Sequence, residues 1–240
     1  MKNYTPEYIG NNLNDFIDSD KIDEELKKFI SVKDARKIRA SLDQRRGKLF
    51  EEITKFLLNE SLKNDKNYNH IKVETLTACP DNIKEIVNKI KLCRKNLKVY
   101  KTPDIDLIVY SEKYDDRIIL LSVKGTSRER IGQYLSNIFI FDKKVMKEKY
   151  GDLYYLDKDL PNFKISFICF DLAKQKDFSF ENKIKAEKAR ERSQKQIEVY
   201  LIDDDPNVGY GIFVFNNLHK LHKVGNFSSL LAKLKEFFNY

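Results

Sequence analysis

Cysteine is scarce and spaced for neither cross-links nor a metal knot. Cys79, Cys93 and Cys169 are the whole complement; they form no Cys-x-x-Cys pair and their number is odd. That argues against a disulfide framework and predicts a reducing, cytoplasmic compartment. No apolar run approaches the ~20 residues that span a bilayer, and the opening segment, Met1 to Asn12, lacks the apolar stretch of a secretory signal. A membrane is therefore not an expected partner. There is no Gly-x-x-x-x-Gly-Lys-Ser/Thr loop, so no nucleotide cofactor is expected either. Nor does a Gly-x-Ser-x-Gly elbow or a Cys/His pairing suggest a covalent nucleophile. With 8 glycines and 5 prolines in 240 residues, no Gly/Pro/Ser-rich linker divides the chain, and no internal repeat occurs.

What is present suits a buried core with a basic surface. Hydrophobic residues make up 41% of the chain, and 45 Lys and Arg against 37 Asp and Glu leave a net charge of +8, which favours a polyanionic partner. The first third reads as helical. Thr5-Pro6-Glu7 has the form of a helix start, Ser19-Asp20 opens a second helix, and Ser41 to Leu58 carries a stripe of Leu49, Phe50, Ile53, Phe56 and Leu57. His70 to Thr77 reads as a strand and Asp81 to Asn96 as a basic helix.

The period then changes. Ile105 to Tyr110 and Ile118 to Val123 are short β-branched runs joined by a charged connection, a hairpin of central strands. Thr126 to Lys149 returns to helical spacing. Phe163 to Phe170, Ile197 to Ile202 and Tyr210 to Phe215 are further strands, with a charged helix at Phe180 to Gln196 and a closing amphipathic helix at Phe227 to Phe238. The expected architecture is α/β: a mixed central sheet flanked by helices over residues 46–240, preceded by a helical arm over residues 1–45.

The chemistry-bearing residues collect around that hairpin. Side chains alternate along a strand, so Asp104 and Asp106 share one face, and Ser122 and Lys124 share one face of the next strand. Pairing brings both sets to one end of the sheet. Carboxylates beside a lysine suit phosphodiester hydrolysis: the acids hold Mg²⁺, the metal acidifies a water, and the lysine orients or deprotonates that water. Charges at strand ends are common for bland reasons. Here, however, acids open one apolar strand, a lysine closes the next, and a helix bearing Gly47-Lys48-Leu49-Phe50-Glu51 precedes both.

Pro103-Asp104 followed by Ser122-Val123-Lys124 resembles the PD-(D/E)XK nucleases, and specifically the type II restriction endonucleases. Arg128-Glu129-Arg130, starting four positions after Lys124, resembles the base-reading triplet of the branch that cuts CCGG or CCNGG-like sites. The resemblance covers roughly Arg46 to Phe141. It implies that Asp104 is a metal-binding acid, Lys124 the catalytic lysine and the Val123 carbonyl a further metal ligand, with Glu51 buttressing the metal or its waters. Glu52 competes with Glu51, because a helical wheel puts it nearer the expected apolar stripe. Ser122 departs from most of the family, which has Glu or Asp there, although some CCGG readers also carry serine and recruit a glutamate from the following helix. The second acid is unassigned: Asp106 is one candidate, and the helix downstream offers only Gln133, Asn137 and Asp142 before Glu148. Gln133 is a further expected DNA contact beside the triplet.

The resemblance implies double-stranded DNA as substrate and a homodimer, since a palindrome presents two equivalent strands. A structure-reading repair or junction-resolving nuclease of the same fold, and a catalytically silent DNA-binding module, are the alternatives. Arginine can donate two hydrogen bonds to guanine, and glutamate can accept from cytosine N4; the competing reading of the triplet is a charged, solvated turn. The two separate cleanly. If Arg128 and Arg130 read bases, alanine at either costs ~1–3 kcal/mol of discrimination on the cognate duplex and little on a scrambled one. Equal weakening on both duplexes, with a flatter salt dependence, marks a phosphate contact instead.

Overall fold

The computed structural model describes residues 5–11, 16, 35–94, 97–114, 116–124, 141, 154–156, 161–169, 209–214 and 225–239. Thr5 caps the first helix, α1 (Pro6–Asn11): its Oγ1 accepts the Tyr8 N–H at 3.2 Å and its carbonyl the Ile9 N–H at 3.0 Å. Pro6 stands at the first helical position, where a missing N–H costs nothing. Helix α2 (Ala35–Lys63) runs without interruption across position 45. Its buried stripe is Phe50, Thr54, Leu57, Leu58 and Leu62, at helical spacing. That corrects the expected stripe: Phe56 is 61% exposed, and Ile53 is only partly buried. The helix is rotated towards Thr54 and Leu58 because the sheet packs on that side.

Strand β1 (Ile71–Glu74) stops short of Thr77 because the Thr75 carbonyl accepts the Ala78 and Cys79 N–H groups, both at 3.1 Å, and turns the chain. Helix α3 (Asp81–Lys89) also ends early. Ile90 leaves helical geometry (φ −81°, ψ 79°) with its N–H bonded to the Val87 carbonyl at 2.9 Å. Of the residues expected to continue that helix to Asn96, Leu92–Arg94 instead form β2, and β3 (Leu97–Lys101) follows. Then come β4 (Leu107–Ser111), β5 (Arg117–Lys124), β6 (Tyr154–Leu156), β7 (Asn162–Cys169), β8 (Gly209–Val214) and α4 (Phe227–Phe237). Of the other expected elements, the helix from Ser19, the strand Ile197 to Ile202 and the helix Phe180 to Gln196 lie outside the described residues. So does Thr126 to Lys149 apart from Phe141, which is helical.

The larger sheet has the order β1-β4-β5-β7-β8. β1, β4 and β5 pair antiparallel, whereas β5–β7 and β7–β8 are parallel. It is the mixed α/β sheet flanked by helices that the hydrophobic pattern predicts. A smaller antiparallel sheet has the order β3-β2-β6. On one face of the large sheet, Val73, Leu107, Val109, Ile119, Leu121 and Val123 pack against α2 and α4. On the other, Ile118 and Leu120 are buried beside Phe163 and Phe167, and Phe141 meets Phe163 edge-on at 6.4 Å. β4 and β5 are thus buried on both faces, which explains their unbroken apolar runs. All three cysteines are buried as thiols, and burial pushes Cys79 up to about 11.

Local devices hold the ends of this frame. Ser111 turns the chain out of β4: its Oγ accepts the Lys113 and Tyr114 N–H groups. Its own hydrogen is then directed to His70 Nδ1, 2.9 Å away, and burial holds that imidazole below its usual pKa. At α4, Asn226 accepts the Ser229 N–H at 2.9 Å, and Asn11 of α1 accepts the Ser228 N–H at 3.3 Å. α1 approaches so closely that a methyl group on Gly10 would overlap the Phe227 ring.

β1 is an edge strand, and an edge exposes unpaired N–H and C=O groups. Asn59 on α2 covers it: the Asn59 side chain donates to the Val73 carbonyl at 2.9 Å and accepts the Val73 N–H at 3.0 Å. Asn59→Ala leaves both backbone groups without that partner and should cost about 1–3 kcal/mol of stability. Asn59→Asp, which keeps only the acceptor, should fall between alanine and wild type in urea denaturation. An unchanged alanine midpoint would show that water replaces the amide at no cost.

Candidate active site

The antiparallel pairing of β4 with β5 sets Leu107 opposite Leu121. The residues that precede β4 therefore lie beside the residues that end β5. Asp106 begins the approach: its N–H donates to the Leu121 carbonyl at 3.0 Å. Its carboxylate then turns onto the end of β5. Oδ2 of Asp106 accepts the Val123 N–H at 2.7 Å and the Lys124 ammonium at 2.7 Å, with Ser122 Oγ at 3.4 Å. The same ammonium lies 3.5 Å from Asp104 Oδ2. Burial grades these groups: the side chains of Asp106 and Lys124 are 14% and 18% exposed, and that of Asp104 is 35%. Asp106 holds Lys124 in place, and Asp104 is the more open acid.

Glu51 comes to this cluster from α2. It lies one turn after Gly47 and beside Phe50 and Thr54, the i, i+3, i+4, i+7 face of the helix. Its carboxyl is held above the usual carboxylate range, first by burial and then by the negative charge of Asp106. Lys124 and Lys48 pull the other way. Those influences place Glu51 within electrostatic reach of both Asp106 and Lys124, while Glu52 is exposed. The competition between the two glutamates turns on the rotation of α2. With the buried stripe centred towards Thr54 and Leu58, Glu51 stands at its margin and Glu52 on the solvent side.

Sequence reasoning passed over Lys101. It ends β3, three residues before Asp104, and is half-buried; burial lowers its ammonium pKa, and the Asp104 charge opposes that shift. The signal was the alternating Leu-Lys-Val-Tyr-Lys run leading into Pro103. Arg128, Glu129, Arg130 and Gln133 lie outside the described residues.

Asp104, Asp106, Glu51 and Lys124 sum to two negative charges in a partly desolvated setting, which suits a divalent cation. Among the described residues, no three His, Cys, Asp or Glu side chains converge closely enough to hold a metal by themselves. The donor set therefore does not fit an all-protein cage. It does fit Mg²⁺, which commonly takes one or two carboxylates and completes its shell with water and substrate phosphate.

No family model matches the sequence, and no curated protein matches it. Among solved structures, the chain is similar to the restriction endonuclease PspGI in complex with substrate DNA, with a TM-score of 0.42 and 20% identity over 98% of this chain and 81% of that one. No described helix is long and apolar enough to cross a membrane.

The raised pKa of Glu51 has a stability consequence. Relief of its strain is complete below the ordinary carboxyl value of 4.5 and is lost as pH rises through the raised folded-state value. At about pH 7 the carboxylate therefore weakens the metal-free fold. Glu51→Gln should raise its melting temperature there, and the gain should shrink to nothing as the pH falls below about 4. A lower melting temperature for the glutamine variant at neutral pH would mean that Lys124 and Lys48 outweigh burial.

Proposed function

We propose that this chain is a magnesium-dependent nuclease that hydrolyses phosphodiester bonds of double-stranded DNA, in its fullest form a type II restriction endonuclease acting as a homodimer. The reading is carried by one observation: the ends of β4 and β5 bring Asp104, Asp106 and Lys124 together, with Glu51 of α2 within electrostatic reach of them. A core of the PD-(D/E)XK kind is the architecture this arrangement supports. Arg128, Glu129, Arg130 and Gln133 then supply the base contacts, and sequence specificity rests on them.

Each residue has a distinct task. Asp104, the more open of the two acids beside β5, would hold the metal, joined by the Val123 carbonyl. Asp106 pins the Lys124 ammonium and the Val123 N–H with one oxygen, so it positions the lysine and also supplies metal-facing negative charge. Lys124 orients the attacking water and meets the negative charge that grows on the phosphate. Glu51 would accept a hydrogen bond from the attacking water. When bound, Mg²⁺ lowers the pKa of that nucleophilic water and neutralises charge on the phosphate oxygens.

A plasmid digest with Mg²⁺ tests the reading. Discrete bands support a sequence-specific enzyme, nicking confined to junctions or mismatches supports a structure-reading one, and intact plasmid supports a silent DNA-binding module. Asp104→Ala and Lys124→Ala should each reduce cutting by about 100-fold or more, while both variants still shift duplex DNA in Ca²⁺. Wild-type cleavage by Asp104→Ala would place the active site elsewhere.

A further inference from the structure

Gly47 stands on the core-facing side of α2, and every later position on that face is occupied. Phe50, Thr54 and Leu57 are buried against the sheet, and Glu51 is within electrostatic reach of Asp106 and Lys124. Among the described residues, nothing lies within 4 Å of the place a Cβ at Gly47 would take. Gly10 shows the opposite case, where the Phe227 ring fills that space and accounts for the glycine. A glycine inside a long helix weakens it relative to alanine, and no described side chain compensates at position 47. Among the described residues the face is open where the substrate strand of the proposed nuclease must come to reach Glu51 and Lys124.

The charge around this opening has the sign that a polyanion needs. Arg45, Arg46 and Lys48 surround Gly47 in sequence; Arg45 and Lys48 are exposed, and Lys48 is within electrostatic reach of Glu51. We infer that the notch above Gly47 receives the sugar-phosphate backbone of a DNA strand, with Lys48 at its rim meeting a phosphate and the helix backbone forming its floor. The inference rests on the nuclease reading and adds a substrate-positioning site that lies outside the carboxylate cluster. A side chain at position 47 would hold the strand away from the reacting groups without touching them.

The test compares Gly47→Ala, Gly47→Leu and Lys48→Gln with wild type, using a linear plasmid-derived duplex as probe. Gly47→Ala should melt at or above the wild-type temperature without DNA, because no described residue fills the space and alanine favours the helix. Cleavage with Mg²⁺ should fall progressively with side-chain size, reaching on the order of 100-fold for leucine, as expected of a displacement near 1 Å. Lys48→Gln should reduce the slope of log affinity against log salt by roughly one. A folded Gly47→Leu protein that binds and cuts like wild type would overturn the notch and leave the nuclease reading standing. A marked loss of melting temperature in Gly47→Ala would also overturn it, since the glycine would then serve the fold. If the wild-type protein neither binds nor cuts the duplex, the nuclease reading itself fails and takes the notch with it.

Discussion

β4 and β5 are buried on both faces, so neither strand can carry charge along its length. Charge is confined to their ends. Because the two strands run antiparallel, the residues before β4 and those closing β5 share one end. Asp104, Asp106 and Lys124 are thereby brought together by the same pairing that builds the core. The Asp106 carboxylate joins the two ends with one oxygen, taking the Val123 N–H and the Lys124 ammonium at 2.7 Å each. A nearly buried carboxylate and a nearly buried ammonium both need such a partner, since either left alone would carry its full desolvation penalty.

The cluster is held together under electrostatic tension. Asp104 and Asp106 share one ammonium, and burial first, then the Asp106 charge, holds the nearby Glu51 carboxyl above the usual range. The fold maintains this because α2 is anchored elsewhere, through Phe50, Leu57, Leu58 and Leu62 in the core and through Asn59 on the β1 edge. Glu51 is carried to the cluster by a helix whose position is decided by other residues. Stability given up at a site and recovered in its scaffold is the usual pattern where a protein must keep uncompensated charge ready for a ligand.

The same helix connects the site to the chain's far ends. α1 is wedged against α4 by the close fit of Gly10 on Phe227 and by the Asn11–Ser228 contacts, and α4 completes the core beneath α2. Gly47 and Gly10 are two glycines with opposite causes: one admits a neighbouring ring, and the other has no described neighbour.

Local pattern alone determined a good deal. Apolar runs bounded by charge marked β4, β5 and β7; Thr5-Pro6 marked a helix start; Asp104, Asp106 and Lys124 were legible because antiparallel pairing suffices to set the residues before β4 beside those closing β5. Tertiary structure decided what depends on distant partners. Leu92–Arg94 is a strand because it pairs with Tyr154–Leu156, some sixty residues away, and this overrode a helical reading of the basic segment after Asp81. The choice of Glu51 over Glu52 as the glutamate facing the cluster, and the exposure of Phe56, followed from how α2 is rotated on the sheet. A helical wheel fixes only the angles between residues on one helix. Which angle faces inward is set by the surface the helix packs against, and that surface comes from the rest of the chain.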